Sequence, residues 1–323
     1  MLMVLLRFAR RCAVWRRWHP TLGALMTLSV LAASAQAQEV RFERVADGVY
    51  AHVGDLGGRT AANQGLNANI GLVLTPNGAV LIDSGATARS ARRIHEAVQK
   101  LTSQPVKWVI NTGGQDHRWL GNGYFKAQGA QVIAHALGEA DMRNRGNDHL
   151  EALRAALGGG VEGTVPTLPD RWIKAADERL DLGGVTFELK HRGSAHTPGD
   201  MLVWLPQAQV LFSGDVVYVD RLLGVIPVSQ TKPWLATFAE VERLMPAHIV
   251  PGHGQVTDLA TAQADTRDYL MAVRSHMKKA VDDELDISAA VKAFDARPWL
   301  RLLNAVELMP GNASRTYLEL ERE

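Results

Sequence analysis

Residues Asn111–Asn122 read NTGGQDHRWLGN. The stretch directly follows Val106–Ile110 (VKWVI), a near-continuous apolar run of the kind that forms a strand covered on both faces of its sheet. A strand that runs into Asp116-His117 sets a carboxylate and an imidazole side by side at the rim of that sheet. Working outward, three more strand ends carry the same residue types. His196 lies in Gly193-Ser194-Ala195-His196-Thr197-Pro198-Gly199, after a strand over Val185–Lys190. Asp215 closes Ser213-Gly214-Asp215, after Val210–Phe212. His253 lies in Val250-Pro251-Gly252-His253-Gly254, at the end of a short strand over Ile249–Val250. These four positions are 79, 19 and 38 residues apart. No local motif joins them, but strand ends that meet at one rim can. Histidines with carboxylates form a donor set suited to zinc or iron.

The rest of the chain predicts where such a rim is built. Val40–Glu43 and Val49–Val53 alternate around Ala46-Asp47-Gly48, a hairpin turn signal. Gly54–Asn69 is rich in Gly and Asn and reads as a mobile loop. Strands follow over Ile70–Thr75 and Ala79–Ile82, then an amphipathic helix over Ala88–Leu101 with Ile94, Ala97, Val98 and Leu101 on one face. Gln131–Ala134 reads as a strand, and Glu139–Leu157 as a helix ended by Gly158–Gly160. In the second half, Arg179–Leu182, Val185–Lys190, Met201–Leu205 and Val210–Phe212 read as strands. Pro233–Leu244, Thr261–Val281 and Ile287–Phe294 read as helices. Strand–strand–helix units in both halves predict an α/β architecture, with two central sheets between helix layers.

The first 37 residues predict an export signal. Arg7, Arg10, Arg11, Arg16 and Arg17 form a basic region, Leu22–Ala33 an apolar run too short to span a bilayer, and Ala35-Gln36-Ala37 an A-x-A cleavage site. The general secretory route fits better than twin-arginine export, because the residues after Arg10-Arg11 do not match the pattern that route needs. Cleavage leaves residues 38–323 as one domain, with a core over about 42–258 and a helical segment over 259–323. It also removes five arginines, so the formal charge changes from +1 to −4. Nothing then suggests a nucleic-acid surface or stable membrane insertion, and the location expected is periplasmic or secreted. The only cysteine, Cys12, leaves with the signal. Any metal must be held by His, Asp or Glu.

Leu81-Ile82-Asp83-Ser84-Gly85, Asn111-Thr112, Asp116-His117, Ala195-His196-Thr197-Pro198-Gly199, Phe212-Ser213-Gly214-Asp215 and Pro251-Gly252-His253-Gly254 together resemble the metallo-β-lactamase superfamily, in its order and over about Phe42–Asp258. The resemblance implies a four-layer αββα sandwich. The exported chain and the continuation WLGNGYF resemble more narrowly the zinc metallohydrolase-like proteins of periplasmic quinoprotein systems. The family writes its metal loop HxHxDH, and here Thr112 and Gly114 stand where its first two histidines would be. Carried over residue by residue, the resemblance implies that one metal position keeps only His196. The other keeps Asp116, His117 and His253, and Asp215 bridges or joins it. Asp83 is implied to orient a ligand imidazole, as such outer partners do. Gln115 and His135 are lesser candidates for the missing ligands.

The expectation is one zinc ion rather than two, with iron or manganese as alternatives. Asp116 or Asp215 would orient a metal-activated water, and His196 would serve as general base or oxyanion stabiliser. The substrate would be a small ester, lactone, thioester or amide. A second reading follows from the same two absent histidines: a non-catalytic protein that binds a metal, cofactor or partner as an accessory of a periplasmic quinoprotein system.

Overall fold

The computed structural model describes residues 39–323; the expected export signal lies outside them. The described residues form one compact unit. In chain order the first half contains β1 (Glu43–Ala46), β2 (Val49–His52), β3 (Ile70–Thr75), β4 (Gly78–Ile82), α1 (Ala88–Gln99), β5 (Val106–Ile110), α2 (Asp116–Trp119), α3 (Asn122–Ala127), β6 (Gln131–His135), α4 (Glu139–Leu157) and β7 (Arg171–Ile173). The second half contains β8 (Asp177–Leu182), β9 (Val185–Lys190), β10 (Leu202–Leu205), β11 (Val210–Tyr218), α5 (Thr231–Leu244), β12 (His248–His253), α6 (Leu259–Ala262), α7 (Asp268–Asp282), α8 (Ile287–Ala293) and α9 (Ala305–Leu320).

Two sheets result. The first has order β1-β2-β3-β4-β5-β6-β7, antiparallel up to β4 and parallel from β4 to β7. The second has order β12-β11-β10-β9-β8, parallel only between β11 and β12. Val73, Ile82, Ile110 and Ile133 of the first sheet pack on Phe187, Leu189, Val203 and Phe212 of the second. Leu72, Leu81 and Val109 turn the other way, onto Ile94 and Val98 of α1 and Phe125 of α3. Leu202, Trp204 and Leu211 pack against Trp234 and Phe238 of α5, Val273 and Met277 of α7, and Tyr317 of α9. The layers are therefore helix, sheet, sheet, helix, and both sheets are covered on both faces. Each large apolar side chain buried this way contributes about 1.5–3 kcal/mol. The sheets approach closely at Gly71 of β3, where any Cβ would overlap the ring of Phe212.

Several boundaries differ from the pattern reading. The first strand begins at Glu43 rather than Val40, and pairs with β2 across a turn in which Gly48 takes φ +67°. β7 and the short helices α2 and α3 were not anticipated, because three to six residues carry too little periodicity. β8 starts at Asp177, and α9 lies within the helical segment expected over 259–323. The helical stretch from Leu259 contains a π-helical turn over Gln263–Arg267 before α7. The Gly/Asn-rich segment 54–69 is irregular, as its composition implies, but it is tied down. Asn69 donates from Nδ2 to the carbonyls of Pro251 (2.9 Å) and Gly254 (2.8 Å) and accepts from Gly54 N (3.0 Å). Asn63 closes a tight turn by accepting from Thr60 N (2.9 Å) and Gly65 N (3.0 Å). Among the described residues, no helix is long and apolar enough to cross a membrane.

Candidate metal centre

Three elements bring His117, Asp215 and His253 together. His117 sits in the first turn of α2, just beyond β5. His253 is the last residue of β12. Asp215 lies inside β11, not in a loop after it: the strand runs on to Tyr218, and its register against β12 shifts on both sides of Gly214. Gly214 takes φ +52°, a conformation that glycine adopts without steric cost. The bulge re-aims the next side chain inward, as bulges near functional sites do. One ligand atom from each of the three residues lies within 4.8 Å of the others, and all three residues are buried. His117 Nε2 stands 3.0 Å from Asp215 Oδ2, and His253 Nε2 stands 3.4 Å from Asp215 Oδ1. The two imidazoles meet edge to face, with centroids 5.0 Å apart.

The surroundings fix these groups. His253 Nδ1 donates to the carbonyl of Asn67 (2.6 Å), which leaves Nε2 unprotonated, with its lone pair on the side of Asp215. The ring of Tyr218 stacks on the His253 face at 4.9 Å. Burial, opposed in part by Asp215, holds His253 well below the ordinary imidazole range, so it is neutral. Burial alone would raise the Asp215 carboxyl, but Arg118 and His117 hold it well below the usual range, so it is ionised. Gly252 lies beneath the group: a Cβ there would come within 2.5 Å of both Arg118 Nη2 and Asp215 Oδ1.

Arg118 is the largest feature that the sequence reading missed. It is 1% exposed. Its guanidinium donates to both oxygens of Asp215 (2.5 and 3.2 Å), to Asp83 Oδ2 (3.0 Å), and to the carbonyls of Asn69 (3.2 Å) and Gly252 (3.0 Å). It ties β4, the 54–69 segment, β11 and β12 into one floor. Asp83 is thereby engaged differently from the expectation. Its oxygens receive Arg118, Thr112 N (2.7 Å) and Thr112 Oγ1 (2.8 Å), and no imidazole. Its backbone takes φ +67°, which a short polar side chain bonded this way tolerates.

Asp116 lies outside the three-residue group. Its carboxylate is ion-paired with Arg59 of the 54–69 segment and lies 3.1 Å from His117 Nδ1. Arg59 also stands 2.9 Å from that same Nδ1. Burial works against the charge on Asp116, yet Arg59 and His117 hold its carboxyl well below the usual range. The relation that the resemblance assigned to Asp83, a carboxylate against the far nitrogen of a ligand imidazole, is made here by Asp116.

His196 is buried beside the group rather than in it. It donates from Nδ1 to Gly224 O (2.9 Å) and lies against Trp234 and Tyr218. Burial, then the neighbouring His117, pushes it down to about 4, against the pull of Asp215. It is neutral at pH 7 and a weaker base than a general base poised near that pH. His135 stacks on His191 at 3.9 Å, outside the group. Trp119 is fully buried and donates to Gly114 O (2.9 Å), a packing role.

The space at positions 113 and 114 is filled by other side chains. A Cβ on Gly113 would overlap Asp200, and one on Gly114 would come within 2.8 Å of Asp141 Oδ2. Thr197 Oγ1 accepts from Gly114 N (3.0 Å), and Asp200 accepts from Thr197 N (2.8 Å). Burial pushes Asp200 up to about 7. On α4, Asp141, Arg145 and His149 recur at four-residue spacing. Arg145 holds both oxygens of Asp141 at 2.6 Å, and His149 is buried with neither ring nitrogen bonded. No pattern in the sequence singles out Arg59, Asn67, Asp200 or His149. Arg118, a charged residue directly after the Asp-His pair, was the one legible signal.

Strand order and layers define a four-layer fold of helix, sheet, sheet and helix. The sequence model of the Metallo-beta-lactamase superfamily matches residues 63–253. The chain belongs to the metallo-beta-lactamase superfamily. It is 25% identical over 218 residues to the type 2 metallo-beta-lactamase of Bacillus cereus, covering 65% of this chain and 74% of that protein. It is also 25% identical over 179 residues to the 2,4-dinitroanisole O-demethylase subunit alpha of a Nocardioides species, covering 54% of this chain and 49% of that protein. Among solved structures, the metallo-beta-lactamase from Pontibacter korlensis superposes with TM-score 0.58 at 23% identity, over 72% of this chain and 99% of that one. The DIM-1 metallo-beta-lactamase superposes with TM-score 0.57 at 19% identity, over 71% and 96%.

Proposed function

We propose that the chain is an exported metal-dependent hydrolase that holds a single zinc ion on His117, Asp215 and His253 and cleaves an ester, lactone, thioester or amide. The convergence of those three side chains carries the reading. They come from distant parts of the sequence, they are buried, and their ligand atoms share one small space. Two imidazoles and a carboxylate fit zinc, with iron and manganese as alternatives for the same donors. A zinc ion held there would supply Lewis acidity toward water and a carbonyl.

The chain's own residues then have definite tasks. The Asn67 carbonyl holds the His253 ring with Nε2 forward. Arg118 fixes both oxygens of Asp215 from below. Asp116, 3.1 Å from His117 Nδ1, would orient the second imidazole by accepting its Nδ1–H when Nε2 serves a metal. His196, neutral and anchored to Gly224 O, lines the rim as a weak base or a neutral dipole toward a developing oxyanion. Membership in a hydrolase family supports the reaction class, and the pattern over residues 1–37 supports export.

Metal analysis of the purified protein with and without His253→Ala is the direct test, followed by a panel of ester, lactone, thioester and β-lactam substrates. The expected result is one equivalent in the wild type, lost in the variant, with turnover of at least one class that a chelator abolishes. Absence of metal after reconstitution would remove the reading. One observation favours the second reading, a non-catalytic metal- or cofactor-binding accessory of a periplasmic quinoprotein system. The carboxylates of Asp215 and Asp116 are already neutralised by Arg118 and Arg59. Retained metal with no turnover across the panel would select it.

A further inference from the structure

Arg59 touches the rim at the one place that matters to the metal group. Its guanidinium is ion-paired with Asp116 and lies 2.9 Å from His117 Nδ1, while Nε2 of the same ring faces Asp215 at 3.0 Å. An arginine can only donate hydrogen bonds, so Nδ1 is the acceptor in this contact. Nε2 is the atom whose lone pair a metal shared with Asp215 and His253 needs. To offer it, the ring must carry its proton on Nδ1. There the N–H suits Asp116 at 3.1 Å but faces the N–H of Arg59, donor against donor. Charge acts in the same direction, because a guanidinium beside the group repels an arriving dication.

Arg59 is also incompletely bonded where it lies. Its Nε is buried without a partner, as is the Nε of Arg221, a second arginine close enough to repel it. Arg221 reaches the same segment through Gly57 O (3.3 Å). A buried donor left unpaired carries a desolvation penalty, which makes the contact one that a ligand can displace.

We propose that Arg59 is a cationic latch that competes with the metal. Its guanidinium and a divalent ion use the Asp116–His117 pair alternately, and metal uptake releases the neighbourhood of Arg59 from the rim and opens the group to substrate. This inference rests on the metal reading above. It makes metal affinity and the position of the segment reciprocal, as linkage requires.

The test measures zinc affinity of the full chain by competition with a chromogenic chelator, together with amide hydrogen exchange over residues 54–69 with and without zinc. Wild type, Arg59→Met, Arg59→Lys and the exposed control Arg92→Met are compared. Arg59→Met is expected to bind zinc at least tenfold more tightly than wild type. Arg59→Lys, which keeps the charge and a donor, should stay near wild type, and Arg92→Met should be unchanged. Zinc should speed exchange around Arg59 in wild type, and Arg59→Met should exchange fast there without zinc. Equal or weaker zinc binding by Arg59→Met, with wild type binding normally, overturns the latch and leaves the metal reading intact. Unchanged or slower exchange around Arg59 on adding zinc to wild type overturns it independently of any variant. No zinc binding by either protein removes both.

Discussion

A single buried arginine decides much of this site. Arg118 makes five hydrogen bonds in a place with almost no solvent, one of them with each oxygen of Asp215. Arg118→Met leaves Asp83 and Asp215 buried without their counter-charge, which costs about 3–5 kcal/mol. Urea denaturation should show a loss of that size, whereas His253→Ala should abolish metal binding at a smaller cost in stability. The neutral buried histidines set a pH dependence. His135 and His196 are each pushed down to about 4 by burial, below the ordinary value of 6.5. The unfolded chain therefore binds these protons first as pH falls. Their contribution to stability is complete above pH 6.5 and is lost between 6.5 and about 4. Urea midpoints should fall across that window, and His135→Gln should remove part of the slope.

At the scale of elements, the rim exists because strands end together and one of them is bulged. The pattern reading stopped β11 at Phe212 and placed Asp215 in a loop. The strand continues because Val216, Val217 and Tyr218 are apolar and their outer neighbours cover them. A sequence window registers the glycine as a break, whereas the fold uses it as a bulge. The close approach of the sheets at Gly71 gives a sharp test. Gly71→Ala should cost about 1–3 kcal/mol by overpacking against Phe212. Adding Phe212→Leu should recover part of that loss, and a double-mutant cycle in thermal denaturation would reveal the coupling. Asn69 is the corresponding test for the irregular segment. Asn69→Ala strands the carbonyls of Pro251 and Gly254 and should weaken zinc binding through a displaced His253, with the fold's far-ultraviolet spectrum retained.

The whole molecule is a sandwich whose two halves each contribute part of one rim. β4 and β5 with α2 bring Asp83, Asp116, His117 and Arg118, and β11 and β12 bring Asp215 and His253. A metal bridging the halves is linked to their association, so it should stabilise the native state by mass action. With free zinc at about a thousand times its dissociation constant, the gain is about 4 kcal/mol. Thermal denaturation should show a midpoint that rises with zinc in the wild type and is flat in His253→Ala. A midpoint that rises equally in both would place the ion elsewhere.

The sequence by itself determined the layers. Apolar runs, amphipathic helix faces and turn residues are local signals, and they were enough for the two sheets, the covering helices and the neighbourhood of the strands that carry Asp116, His117, His196 and His253, though not for the bulge that keeps Asp215 inside β11. What only the tertiary structure decided was which of those residues face one another. His117, Asp215 and His253 share a space, Asp116 is set against Arg59, His196 hangs from Gly224, and Asp83 serves Arg118. Charge explains the difference. Each carboxylate in a dry interior must meet a partner, and the partner nearest in space, Arg59 or Arg118, is chosen by how loops fold over the rim and not by spacing along the chain.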